Sequence, residues 1–186
     1  NTAGSHVFEV TLGLTTITGE YSFTLLRPLD HPDLGTEDTT ALVFRYEVTN
    51  AAGTVTPTFT VNVNDDSPEP VNIATTMSEN DTTVVVATLA GDFHPGADGL
   101  RSVTLDSTHA PTITGPDGVV LAIPNLTLLA PDQTSANYRI VISPNTAFDG
   151  LAVGETATLT IPYVVTDGDG DPATANFIIT ITGTND

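Results

Sequence analysis

Two stretches near the C-terminus, ATLTIPYVV (157–165) and NFIITI (176–181), constrain the fold more than any other feature. Apolar and polar residues alternate along both, and β-branched or aromatic side chains fill many of the apolar positions. A period of two turns one face of an extended chain toward a core and the other toward water, whereas a helix needs a period of 3.6. The pattern recurs in VFEVTLGL (7–14), YSFTLL (21–26), ALVFRYEV (41–48), TFTVNV (58–63), TVVVATL (83–89), RSVTL (101–105), VVLAI (119–123) and NYRIVI (137–142). Gly, Pro, Asn and Asp separate these runs, as turns require. No helical stripe of useful length appears, and LAVGE (151–155) offers one short turn. The expected fold class is all-β, with β-sandwich domains in tandem.

An internal repeat sets the expected domain organisation. YEVTNAAGTVTPTFTVNVNDD (46–66) resembles YVVTDGDGDPATANFIITITGTND (163–186), with Tyr46 matching Tyr163, Val48 matching Val165, Gly53 matching Gly170 and Phe59 matching Phe177. Each copy reads as the last hairpin of a domain closing on Asn-Asp. Residues 1–66 then form one repeat and 67–186 a second, with SPEP as the linker. The first is short for a self-sufficient core. It is expected to be the C-terminal part of a larger sandwich, and the Asn-Asp ending leads us to expect a further repeat beyond Asp186.

The chain carries 23 acidic residues against four arginines and no lysine, a formal net charge of −19. Such a chain cannot neutralise phosphates, so nucleic acid is not an expected partner. There is no apolar run of 18 residues, and no membrane insertion is expected. Cysteine is absent, so a bound metal is one remaining way to staple a small domain.

Close-set carboxylates repel one another unless a cation lies between them, and calcium takes six to eight oxygens from side chains, carbonyls and water. Asp167, Asp169 and Asp171 stand two apart in a turn whose intervening glycines let the backbone curl. The spacing resembles the start of an EF-hand loop, without flanking helices or the closing Glu. A plain hairpin turn is the alternative, since Asp-Gly is a preferred turn dipeptide. Asp65 and Asp66 lie at the domain boundary, where an ion could be shared with Asp92 or Asp98; an exposed acidic linker capped by Pro68 and Pro70 is the alternative there. Enzyme signals are poor. His6, His31, His94 and His109 are scattered, and neither His-Glu-x-x-His nor Gly-x-Ser-x-Gly occurs, so no catalytic residues are assigned.

The string FDGLAVGETATLTIPYVVTDGDGDPATANFIITITGTND resembles the end of the VCBS-like, cadherin-like repeats of giant bacterial RTX adhesins. YSFTLLRPLDHP with VNVNDDSP resembles another repeat type of the same type I-secreted proteins. The resemblance implies tandem Ig-like or cadherin-like sandwiches that extend a surface adhesin from the cell, stiffened by calcium (Ca2+), with neighbouring repeats of the same polypeptide as partners. It implies an extracellular location on the bacterial surface and a role in cell adhesion and biofilm. It also implies further calcium ligands. Asn64 joins Asp65 and Asp66 in the linker pattern, and Glu79 of SEND matches an early calcium-binding Glu. Asp92 and Asp98 belong to LAGDFHPGADG, where His94 replaces a carboxylate, and Asp30 and Asp149 match an aspartate of the Asp-Arg-Glu motif. Asp186 is expected to join Glu79 and Asp149 in a half-site that a following repeat completes. The runner-up function is a module that binds a surface glycan or a peptide through its loops, above all through DSTHAPTITGPDG (106–118).

Overall fold

A computed structural model describes residues 6–13, 20–29, 38–88, 92–116, 121–132, 137–143 and 145–184. Among these residues the secondary structure is fourteen β-strands and one 3-10 turn. The protein is all-β. The chain divides into two compact units, one of residues 1–66 with Asp169–Asp171, the other of 67–168 with 172–186.

The first unit holds β1 (Phe8–Leu12), β2 (Tyr21–Leu25), β3 (Thr39–Arg45), β4 (Val48–Asn50), β5 (Gly53–Val55) and β6 (Thr58–Asn64). β1 pairs with β2, β3 with β6, and β4 with β5, all antiparallel. Alternation turns the aromatic residues to a common layer. Phe8 stacks on Phe23 at 5.4 Å and meets Phe44 edge-on at 5.6 Å, while Tyr21 stacks on Phe59 at 4.2 Å. Sheets only two strands wide cannot cover this layer. Among the described residues of this unit no apolar side chain is fully buried.

The second unit is a sandwich. One sheet has the order β10 (Thr112–Thr114), β13 (Thr156–Asp167), β14 (Pro172–Thr182), β7 (Ile73–Ser78), with β9 (Leu100–Leu105) also pairing to β13. The other has the order β11 (Asn125–Leu129), β12 (Asn137–Ser143), β8 (Thr83–Thr88). Leu159, Ile161, Tyr163 and Val165 of β13 and Phe177, Ile179 and Ile181 of β14 are wholly buried, together with Ile140 and Ile142 of β12. These are the alternate positions that the sequence pattern marks as apolar, and they form one core. β7 and β14 run parallel, paired from Ile73 with Phe177 to Ser78 with Thr182.

Of the expected strand VVLAI, only Leu121–Ile123 can be compared. Residues 119 and 120 lie outside the described residues, and Leu121–Ile123 are irregular. The described part lies between β10 of one sheet and β11 of the other, and Leu121 packs against the core. The short turn expected at LAVGE is present at Val153 and Gly154, and a 3-10 turn precedes it at Asn145–Phe148.

Candidate metal centre

The β13–β14 hairpin places three carboxylates at its tip. β13 buries every second residue from Ala157 onward, and that column ends on Asp167. A register shift between Thr166 and Asp167, opposite β9, bends the strand at this point. The chain then turns through Gly168 and Gly170, the latter at φ +117°, a conformation that favours glycine. Asp171 closes the turn. Asp167 is fully buried and Asp171 only 3% exposed, whereas Asp169 is half-buried.

Within this local segment Asp167, Asp169 and Asp171 offer carboxylate oxygens that all lie within 4.8 Å of one another. Two like charges about 4 Å apart repel by roughly 4 kcal/mol near a protein surface, and burial adds a desolvation cost. Asp167 and Asp171 each engage a partner. The Oδ1 atom of Asp169 is buried and has no hydrogen-bond partner among the described residues. A hard cation between the three would relieve the repulsion and supply the oxygen with a partner, so the residues present suit calcium. Further oxygen is near. The carbonyl of Asp98 lies against the turn so closely that a Cβ on Gly168 would stand 2.5 Å from it.

The other expected ligands are distributed as follows. Asp65 lies just beyond β6, where its amide donates to the Asp38 carbonyl at 3.0 Å and its Oδ1 accepts from the Asp66 amide at 2.9 Å. Its Oδ2 is buried without a hydrogen-bond partner. Within the first unit Asp65 and Asp169 present oxygens less than 4.8 Å apart. Asn64 accepts a 3.0 Å hydrogen bond from Thr39 through its Oδ1, and Asp66 is exposed. Asp92 stands near enough to Tyr163 to affect it: burial first, and then the Asp92 charge, push the phenol up to about 12.

Glu79 is buried at the end of β7. Its amide donates to Thr182 at 3.0 Å, and its Oε1 accepts from both the amide and the hydroxyl of Thr184, the hydroxyl at 2.9 Å. Oε2 is buried without a partner. Asp149 is exposed after the 3-10 turn. Neither Glu79 nor Asp149 belongs to a group of three His, Cys, Asp or Glu ligands among the described residues. Asp30 and Asp186 lie outside the described residues.

Sequence reasoning singled out residues 106–118 as a candidate binding loop but not the arrangement around Asp106. Its Oδ1 accepts from the Thr108 amide at 2.7 Å and the Thr108 hydroxyl at 2.6 Å, and its Oδ2 meets His109 Nδ1 at 2.7 Å. The Thr108 side chain first, then His109, hold this carboxyl well below the usual carboxylate range. The available signal was Asp-x-Thr at a strand end, an Asx-turn pattern. No protein-family model matches this chain, and no curated protein matches it.

Proposed function

We propose that this chain is a calcium-stabilised structural segment of a large bacterial surface adhesin, an extracellular extender that holds a ligand-binding module away from the cell. Its β-sandwich and acidic surface support this reading. The observation that carries the calcium part is the turn of Asp167, Asp169 and Asp171, with two buried carboxylates and a third whose Oδ1 lacks a hydrogen-bond partner. The ion would close the tip of the longest hairpin in the sandwich and hold the β9 end and the Asp98 loop beside it. The protein does no chemistry in this reading; its task is to stay folded and stiff. An ion that binds only the native state stabilises by RT ln(1 + [L]/Kd), about 2.7 kcal/mol at a hundredfold excess over Kd. Thermal melting in calcium and in EGTA tests the proposal. A higher midpoint in calcium, reduced in Asp169→Asn, is expected. Identical curves, with no metal in the purified protein, would overturn it.

A further inference from the structure

The outer face of the five-stranded sheet carries a cleft of about 250 Å³, lined by Asp106, His109, Pro162, Thr174, Ala175 and Asn176. It opens where β13 changes neighbours. β9 pairs with Tyr163–Asp167 and β10 with Thr158–Thr160, so residues 106–111 leave the sheet between them. Pro162 occupies that gap, where its missing N–H costs no ladder bond, and its carbonyl accepts from the Asp106 amide at 2.9 Å. Thr174 and Asn176 share the outer face of β14, two residues apart.

The hydrogen bonds fix what the cleft offers a ligand. His109 Nδ1 faces Asp106 Oδ2 at 2.7 Å and Thr108 Oγ at 3.0 Å. The carboxylate only accepts, and the Thr108 hydroxyl proton goes to Asp106 Oδ1. Nδ1 therefore carries the hydrogen, and in the neutral ring Nε2 is an acceptor. Asn176 uses its amide nitrogen on Asn72 at 3.2 Å, which leaves its Oδ1 to accept. The Thr174 hydroxyl can do either. Behind them stands the ionised Asp106, whose side chain is only 4% exposed. No Arg or Lys lines the cleft, so nothing there suits an anion. A transition metal would want more than one imidazole, and no group of three metal-ligating side chains includes His109 among the described residues.

We propose that this cleft binds an ammonium or guanidinium group on an aliphatic stem, as a lysine or arginine side chain of a partner peptide presents it. The donors meet His109 Nε2 and Asn176 Oδ1, the Asp106 charge sits beneath them, and the Pro162 ring receives the stem. The chain's net charge of −19 draws such a cation toward the surface. The site is independent of calcium.

The test is a titration followed by two-dimensional NMR on the whole chain, with Nα-acetyl-L-argininamide as probe and Nα-acetyl-L-citrullinamide as its neutral counterpart, in calcium and again in EGTA. Saturable shifts at His109, Thr174 and Asn176 with argininamide alone are expected, the same in both buffers. His109→Ala should weaken binding about tenfold. That ring is 74% exposed, so its removal leaves the fold intact. Thr174→Lys, which supplies a competing ammonium from an exposed position, should abolish binding. Equal shifts with citrullinamide, shifts at these residues with methyl α-glucoside instead, or no saturation with argininamide would each overturn the proposal.

Discussion

The Tyr163 hydroxyl donates a 2.6 Å hydrogen bond to the carbonyl of Val71, 92 residues earlier in the chain. It thereby fixes the segment that leads into β7, while its ring stacks on Phe177 at 4.1 Å. The phenol titrates near 10 in an unfolded chain and is pushed up to about 12 here. A raised folded value favours the protonated native state, so this contribution is complete below pH 10 and is lost as the pH rises through 12. Urea denaturation at pH 9 and pH 11 should therefore show less stability at the higher pH. Tyr163→Phe should flatten that difference and cost about 1 kcal/mol at pH 7. The burial of Tyr138, which also raises its phenol, leaves part of the slope. An unaltered slope in Tyr163→Phe would count against this account.

Gly168→Ala should damage the metal centre without removing a carboxylate. The new Cβ would lie 2.5 Å from the Asp98 carbonyl, and backbone stands on both sides of the clash. Overpacking of this kind costs about 1–3 kcal/mol. Melting in EGTA should report that loss, and the gain on adding calcium should shrink as the turn opens. A variant with wild-type midpoints in both buffers would show that the turn can move aside freely.

Glu79 offers a graded test. In Glu79→Ala the amide and hydroxyl of Thr184 lose their shared acceptor, a loss of about 2–3 kcal/mol for hydrogen bonds to a charged group. Glu79→Gln keeps an acceptor at the same place and should lose less. Chemical denaturation of the two variants at pH 7 gives the comparison; equal losses would mean that charge, not the acceptor position, matters.

The two units should differ when expressed apart. Among the described residues, all the buried apolar side chains, from Met77 to Ile181, belong to the second. Residues 67–186 alone should melt cooperatively, and residues 1–66 alone should not, because its aromatic layer stays partly in water. Calorimetry decides; a sharp transition in the short fragment would show that its two-stranded sheets suffice.

Legibility of the fold in the sequence followed burial. β13 and β14 were plain because central strands face the core with every second residue, and Leu159, Ile161, Phe177 and Ile179 carry the period without a break. β5, β7, β10 and β11 escaped notice: GTV and TIT are three residues long, and half of IATTMS is threonine or serine, at the sheet edge. β7 and β10 take their pairing from strands far away in sequence, β14 and β13. Leu121–Ile123 of VVLAI are irregular despite their strand propensity, which shows that propensity alone does not make a strand. The Asp167–Asp171 turn was visible as a carboxylate spacing, but the burial of its first and last members follows from where the β13 column ends. Asp106 was hidden because its role depends on Thr108 and His109 folding back around it.

The parallel pairing of β7 with β14 has a mechanical consequence. Tension applied along the chain enters the second unit at Ile73 and leaves it at Thr182, diagonally opposite corners of the same two-strand ribbon. The pull then runs along both strands, and the rungs from Ile73 to Thr182 are loaded together, in shear. An antiparallel hairpin pulled at its two ends opens like a zipper, one rung at a time. Here the first event under load must break the whole ladder at once, and how long the unit survives depends on the rate of that single step.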